Sequence, residues 1–185
     1  MKNVLVIKGS SRKDSFTNYL WTESFKNFDN IEISVFDVFS EKFEFCNGCN
    51  YCEDKGKCVH RDLDEFFKEF ENADFILFSS PVYNGGFSAP VKALIDRFQV
   101  YYTSFYRNSK VQPIKKHRKA GILAASGRNG EEALQIMKKD LTCAFTILNM
   151  ELQWSVLCSY TDTNPRYESA LEELKMMLKR SLVDE

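Results

Sequence analysis

The sequence lacks the features that define several large classes of protein. It has no run of about 18 apolar residues, the length that a membrane-spanning helix needs, so we expect no membrane segment. Its formal net charge is −1, which gives no general attraction to nucleic acid or to an anionic membrane. A short apolar run near the start is followed at once by polar Lys8, Ser10 and Ser11 and has no small-residue cleavage site. We therefore expect a first strand there and a cytoplasmic protein, in which structural disulfides are disfavoured.

Common nucleotide-binding and catalytic motifs are also absent. The stretch GSSRKDSFTN at residues 9–18 contains neither the G-x-G-x-x-G of dinucleotide folds nor the G-x-x-x-x-G-K-[ST] of a P-loop. No Ser/His/Asp set and no pair of carboxylates stands out. We therefore expect no catalytic side chain, and any chemistry would be that of a bound cofactor.

Short apolar runs alternate with amphipathic stretches along the 185 residues, which suffice for one compact domain. The predicted strands lie at residues 4–7, 31–36, 75–78, 121–125 and 152–157. The predicted helices lie at residues 16–28, 62–70, 89–98, 134–148 and 167–182. Asp62 is the predicted N-cap of the second helix. Strand followed by helix, five times over, predicts a doubly wound α/β domain with a parallel sheet.

Ligands of such sheets bind in the loops beyond the carboxyl ends of the strands. The loop after the first strand combines Ser10, Ser15 and Thr17 with Arg12, and hydroxyls at a helix N-terminus favour a phosphate. By itself this loop is equally compatible with an ordinary solvated helix start. The loops at 79–88 and 125–132 add glycines and the flat side chain of Tyr83. Together the three loops indicate a phosphate at one end and a flat heterocycle at the other.

GSSRKDSFT and SPVYNGGFSAPVKALIDR, within this pattern of strands and helices, resemble the flavodoxin-like family of NAD(P)H-dependent FMN reductases. The resemblance covers nearly the whole chain, and the cysteine segment is similar to that of the iron–sulfur flavoprotein branch. It implies a five-stranded sheet of order 2-1-3-4-5, a phosphate held by the first motif and an isoalloxazine ring beside the second and third loops. The FMN-binding residues so implied are Ser10, Ser11, Arg12, Ser15, Phe16, Thr17, Pro81, Val82, Tyr83, Asn84, Gly85, Gly86, Ser126 and Gly127. Phe16 departs from the family, whose loops more often carry a small or polar residue there.

Four of the six cysteines fall in one short segment with the spacing C-x2-C-x2-C-x5-C: Cys46, Cys49, Cys52 and Cys58. They lie in a predicted insert at about 38–61 of the single domain, residues 1–185. Structural zinc more often uses two separated C-x2-C pairs or paired histidines, and only His60 is near. The opening run matches that of bacterial ferredoxins, so a [4Fe–4S] cluster is favoured, with zinc or free thiols as alternatives. Cys143 and Cys158 are predicted to be small buried hydrophobic residues.

Two further segments stand out. The aromatic run Tyr101, Tyr102, Phe105 and Tyr106 is too dense for a free loop and is interpreted as a subunit interface, with core or a flavin cover as alternatives. The basic run KKHRK at 115–119 is interpreted as a solvated turn before the fourth strand, with a docking patch for an acidic redox partner or for a nicotinamide phosphate as the alternative.

The sequence thus predicts an FMN-dependent oxidoreductase with a [4Fe–4S] cluster, moving electrons between NAD(P)H or a one-electron donor such as ferredoxin and a small acceptor. A homodimer or homotetramer is implied by the resemblance. The alternatives are a cluster-free NAD(P)H-dependent FMN or quinone reductase, a non-catalytic flavodoxin-type carrier and a redox-sensing metal-binding module.

Overall fold

A computed structural model of the protein describes residues 1–107 and 111–183. Five parallel strands form one sheet in the order β2-β1-β3-β4-β5, which confirms the predicted flavodoxin-like fold class. The strands are β1 (Lys2–Lys8), β2 (Ile31–Asp37), β3 (Phe75–Pro81), β4 (Arg118–Ala125) and β5 (Met150–Cys158). The helices are α1 (Phe16–Phe25), α2 (Tyr51–Lys55), α3 (Asp64–Asn72), α4 (Ala89–Asp96), α5 (Gln99–Arg107), α6 (Glu131–Phe145) and α7 (Tyr167–Leu182).

Successive side chains of the central strands pack on opposite faces of the sheet. Leu5 and Ile7 of β1 belong to one hydrophobic cluster with residues of α3, α4 and α6. Val4 and Val6 belong to a second cluster with residues of α1 and α7. All four side chains are buried, as parallel strands covered on both faces require. No helix within the described residues is long and apolar enough to cross a membrane.

The structure corrects the prediction for Asp62. Helix α3 begins at Asp64 after Leu63, and no side chain caps it. Asp62 instead pairs with Arg97, whose guanidinium nitrogen lies 2.7 Å from its carboxylate. The Asp62 side chain therefore forms a long-range ion pair and does not cap the helix, as its local sequence position had suggested.

The basic run is not a wholly solvated turn, because Arg118 is fully buried at the start of β4. Its guanidinium donates to the carbonyl oxygens of Phe70 and Leu148 and lies 4.6 Å from the centre of the Phe70 ring. Burial lowers the pKa of Arg118 to about 10. Lys115, Lys116 and His117 are exposed, as predicted.

Two other predicted groups, the cysteines outside the segment and the aromatic run, contain both buried and exposed residues. Cys143 is exposed, so its predicted burial is wrong, whereas Cys158 is buried in β5 as predicted. Tyr101 is part of the core. Tyr102 and Tyr106 are exposed on α5 with their ring centres 4.6 Å apart.

Gly121 lies where β4 meets the indole ring of Trp154 on β5. A Cβ atom at position 121 would lie 2.5 Å from the nearest ring atom of Trp154, which also stacks on Phe75 and donates its indole N–H to Ser181. The absence of a side chain at 121 therefore allows the ring to pack against the sheet.

We predict that Gly121→Ala lowers the free energy of unfolding by ~1–3 kcal/mol, because the added methyl group overpacks a ring that is held on its other sides. Urea denaturation followed by tryptophan fluorescence would measure this. Gly86→Ala is the matched control, since a Cβ atom there meets no atom within 4 Å. Equal stabilities of the two variants would contradict the prediction.

Candidate functional site

The loop after β1 is shaped by its own hydroxyl groups. The Ser10 hydroxyl is buried and accepts a hydrogen bond from the Arg12 backbone N–H at 3.3 Å. Ser15 is the N-cap of α1, and its hydroxyl accepts from the Asn18 backbone N–H at 3.1 Å. The Asn18 side-chain amide donates to the Arg12 carbonyl at 2.8 Å, and Thr17 is buried. The loop is thus an ordered start of a helix, the arrangement that favours an anion.

Some residues of this loop are exposed and therefore accessible to a ligand. Ser11 and Arg12 are exposed, and Phe16 is half-buried with its ring stacked on that of Tyr167, 6.4 Å between centres. The departure at Phe16 is therefore explained by packing against α7. Its position leaves the polar part of the loop accessible.

The loop after β3 contains a tight turn. The backbone N–H groups of Tyr83 and Gly86 donate to each other's carbonyl oxygens at 3.0 and 3.1 Å. Between them, Asn84 and Gly85 have φ angles of 48° and 83°, which is the pattern of a two-residue type I′ turn. The Val82 N–H donates to the Ala125 carbonyl at 2.7 Å, so the base of this turn is tied to β4. Tyr83 is 45% exposed at the sheet edge.

The loop after β4 packs against the loop after β5, at 159–166. Ser126 is buried, and its carbonyl accepts from the Thr161 N–H at 3.0 Å. A Cβ atom at Gly127 would lie 2.1 Å from a carboxylate oxygen of Asp162, so only glycine permits this approach. Tyr160 adopts a left-handed backbone with φ of 60°. Sequence reasoning missed this fourth loop, although the run Thr-Asp-Thr-Asn-Pro after β5 is rich in turn-forming residues.

Hydrogen bonds join the first two loops directly. The Gly9 N–H donates to the Ser79 carbonyl at 2.7 Å, and the Ser88 hydroxyl donates to the Gly9 carbonyl at 2.9 Å. The Ser80 hydroxyl accepts from the Ser88 N–H at 3.1 Å. Since β1, β3 and β4 are neighbours in the sheet, the three predicted FMN-binding loops occupy one edge of it.

The cysteine segment connects β2 to α3, and β2 is the other neighbour of β1. All four of its cysteines line one cavity together with His60 and Arg97. Gly48, Asn50 and Gly56 have φ angles between 59° and 68°, so the chain turns sharply between the cysteines. This bending lets four residues that are spread over the segment face a common space.

The exposure of the four cysteines differs. Cys46 and Cys49 are exposed, whereas Cys52 and Cys58 are half-buried, and all four are free thiols. In the part of the chain that the structure describes, no three His, Cys, Asp or Glu side chains are gathered closely enough to hold a metal ion. The cysteines therefore share a cavity without forming a closed ligand set.

Two buried polar atoms on the cavity-lining residues have no hydrogen-bond partner: the Arg97 Nε and the His60 Nε2. The Arg97 Nε is a donor, and a buried donor without an acceptor is costly, so this atom indicates that the cavity suits a group with acceptor character; the His60 Nε2 donates or accepts according to its tautomer. Four thiols beside a buried guanidinium are the donor set of a thiolate-bound iron–sulfur group. The residue types that line the cavity thus fit such a group, although the structure does not gather their side chains into a closed set.

The ion pair beside this cavity keeps both partners charged. Burial opposes ionisation of Asp62, but hydrogen bonds from Arg97 and from the Glu44 N–H outweigh it and lower the pKa of the carboxyl. Burial also works against the Arg97 charge, yet the Asp62 hydrogen bond and the charges of Cys58 and Asp62 raise the pKa of the guanidinium above its ordinary value. The positive charge of Arg97 therefore lies next to the half-buried Cys58.

Comparison with known proteins gives close relatives of one kind. A sequence model of the family described as NADPH-dependent FMN reductase matches residues 2–159. An iron-sulfur flavoprotein of Methanocaldococcus jannaschii is 32% identical over 138 residues, covering 73% of this chain and 68% of that protein. An iron-sulfur flavoprotein of Archaeoglobus fulgidus is 35% identical over 98 residues, covering 51% of this chain and 44% of that protein. The chain thus matches less than half the length of the second relative.

Solved structures agree on the fold. An FMN-dependent NADH-azoreductase from Bacillus anthracis, in complex with FMN, superposes with a TM-score of 0.70 at 15% identity and covers 97% of this chain and 99% of that one. A candidate quinone reductase from Klebsiella pneumoniae superposes with a TM-score of 0.70 at 14% identity, covering 99% of this chain and 86% of that one. At such identities the likeness establishes the fold alone.

The loop geometry, the sheet order and the family match lead to the same assignment as the two sequence motifs. The chain belongs to the NADPH-dependent FMN reductase family, in its iron–sulfur flavoprotein branch, and is a flavin-dependent oxidoreductase.

Proposed function

We propose that the protein is an FMN-dependent oxidoreductase that also carries a [4Fe–4S] cluster and moves electrons between a one-electron donor or NAD(P)H and a small acceptor. The observation that carries the proposal is the shared cavity of Cys46, Cys49, Cys52 and Cys58, whose segment follows β2, the strand next to β1. When bound, a flavin supplies one- and two-electron chemistry and a cluster supplies one-electron chemistry.

The residues of the three loops would divide the binding of FMN between them. Ser10, Ser11, Arg12, Ser15 and Thr17 would bind the phosphate, with Phe16 packed behind the loop. The turn at 81–86 would lie along the ring system, because its backbone is exposed and held by β4. Ser126 and Gly127 would border the other side of the ring.

The four cysteines would supply the thiolates of the cluster. The left-handed residues in the segment support this, because they allow the chain to wrap around a compact group. The names of the relatives, which call them iron-sulfur flavoproteins, support it as well.

The second candidate is a cluster-free NAD(P)H-dependent FMN or quinone reductase. It is favoured by the absence, within the described residues, of a gathered set of three metal-binding side chains. Similarity over nearly the whole chain to structures named azoreductase and quinone reductase is in keeping with it. A flavodoxin-type carrier differs from both candidates because it would not turn over NAD(P)H.

Anaerobic purification followed by analysis of iron, sulfide, zinc and FMN distinguishes the two candidates. Four iron and four sulfide atoms per chain, together with FMN, are expected for the first candidate. Stoichiometric zinc without sulfide, or FMN without metal, would make the cluster-free reductase the correct function. We further propose a cytoplasmic location, because exposed free thiols persist in a reducing compartment.

We predict that Ser10→Ala combined with Arg12→Ala weakens FMN binding at least about tenfold, since hydrogen bonds to a charged group contribute ~1.5–3 kcal/mol each. Quenching of flavin fluorescence during titration of the apoprotein measures the dissociation constant. Arg180→Ala, an exposed arginine in the last turn of α7, is the control. An unchanged dissociation constant in the double variant would move the phosphate site away from this loop.

We predict that Cys49→Ala abolishes the cluster and leaves FMN bound, because one of four thiolates is lost while the FMN loops are separate segments. Iron and sulfide should fall to background levels, and the flavin content should stay at one per chain. Cys143→Ala is the control, since Cys143 is also exposed but lies on α6. Retention of four iron atoms in Cys49→Ala would exclude that cysteine as a ligand.

The exposed tyrosine pair on α5 is the proposed interface between copies of the chain. Tyr102 and Tyr106 are 45% and 53% exposed, and their rings contact each other at an angle of 46°, so a partner can cover them without rearranging the core. Replacing both with serine should lower the molar mass measured by light scattering. Ile136→Gln, an equally exposed apolar residue on α6, should leave the mass unchanged. A wild-type protein that is monomeric at high concentration would contradict the interface.

A further inference from the structure

One buried arginine holds both ends of the cysteine segment. Arg97 follows the last residue of α4 as its C-cap and is only 2% exposed. Its Nη1 donates to the Glu44 carbonyl at 2.5 Å, and its Nη2 donates to the His60 carbonyl at 3.1 Å. Glu44 precedes the first cysteine of the segment by two residues, and His60 follows the last by two. The guanidinium therefore closes the base of the loop that carries all four cysteines.

Asp62 completes this arrangement. Its Oδ1 accepts from the Arg97 Nη2 at 2.7 Å, and its Oδ2 accepts from the Glu44 backbone N–H at 2.7 Å. Both ends of the segment are thus tied to one ion pair, in which the Arg97 side chain is 1% exposed and the Asp62 side chain 22% exposed, so water has little access to it. Charge-assisted bonds of this kind are stronger than neutral ones.

The Arg97 Nη1 also donates to the Asp62 Oδ2 at 3.3 Å, so four of the five N–H donors are used, and the remaining one, Nε–H, belongs to a residue that lines the cysteine cavity. The Arg97 Nε is buried and has no hydrogen-bond partner. Arg118 provides a comparison, because its Nε is also buried without a hydrogen-bond partner. Its guanidinium, however, packs against the face of Phe70, which favours a cation without accepting a conventional hydrogen bond. The Arg97 guanidinium instead pairs with the Asp62 carboxylate and interacts with Cys58.

We propose that Arg97 is a positioning residue that closes the base of the cysteine segment, and that its Nε–H donates a hydrogen bond to a sulfur atom of the thiolate-bound group. The hydrogen bond to sulfur rests on the proposed function, whereas the role of Arg97 in closing the segment does not. A donor and a positive charge beside the sulfur atoms stabilise the more negatively charged, reduced state. Arg97 should therefore raise the reduction potential of the cluster.

The test compares Arg97→Lys and Arg97→Gln with Arg118→Lys, a substitution at an equally buried arginine outside the segment. Arg97→Lys keeps the positive charge but loses the Nε donor and the clasp, by which we mean the paired Nη donors that hold Glu44, His60 and Asp62. Arg97→Gln loses the positive charge as well. One-electron reductive titration followed by electron paramagnetic resonance gives the potential of the cluster. Hydrogen–deuterium exchange of the cluster-free proteins, measured by mass spectrometry, reports the order of residues 44–60. FMN binding verifies that each variant is folded.

The reduction potential of the cluster should decrease in the order wild type, Arg97→Lys, Arg97→Gln. For Arg97→Gln we expect a change of about tenfold in the ratio of reduced to oxidised cluster, which corresponds to about 59 mV for a one-electron couple. Exchange across 44–60 should become faster in both Arg97 variants and stay at the wild-type rate in Arg118→Lys. A potential unchanged in both Arg97 variants would overturn the hydrogen bond.

Exchange at 44–60 no faster than in Arg118→Lys would overturn the positioning role. A wild-type protein without iron would instead refute the proposed function, and the exchange experiment would still decide whether Arg97 closes the segment. If Arg97→Gln fails to bind FMN, Asp62→Asn replaces it, because that change removes the partner of the clasp and keeps the volume. Slow exchange in Asp62→Asn would count against the clasp.

Discussion

The close approach of β1 to β3 at Gly9 determines where the other parts of the site lie. A Cβ atom at position 9 would lie 2.6 Å from a methyl group of Val91 and 2.7 Å from the Ser79 carbonyl oxygen. Only glycine leaves room for the bond from its N–H to that carbonyl and for the bond that the Ser88 hydroxyl donates back. The loop after β1, the end of β3 and the start of α4 are therefore fixed with respect to one another.

Helix α4 carries this constraint to the cysteine segment. It is eight residues long, about 12 Å at 1.5 Å per residue, and it lies between Ser88 at its N-cap and Arg97 at its C-cap. Ser88 contacts the loop after β1 through the Gly9 carbonyl, and Arg97 contacts both ends of the cysteine segment. One short helix thus relates the two proposed cofactor sites through hydrogen bonds at its ends, and the buried Val91 and Leu94 hold it against the sheet.

The local sequence pattern predicted the strands of the sheet but did not predict which charged residues are buried. The continuous apolar runs at 4–7 and 75–78 were identifiable because both faces of these strands are covered, so every side chain must be apolar. Asp62 was assigned to a helix cap because its true partner lies 35 residues further along the chain. Arg118 was indistinguishable from its exposed basic neighbours, since the carbonyl groups that accept from it belong to Phe70 and Leu148. Partners that are distant in sequence leave no local signal.

The cysteines of the segment fall into two pairs because of the same long-range contacts. Cys58 lies beside the Arg97 clasp and Cys52 lies in α2, which packs against α5, so both are half-buried on supported backbone. Cys46 and Cys49 are exposed between the clasp and α2, where the left-handed Gly48 and Asn50 bend the chain. Because the ion pair of Arg97 and Asp62 already holds the two ends of the segment together in the folded chain, the proposed cluster would bind to a loop whose base is closed, and less loop-closure entropy would be lost on binding.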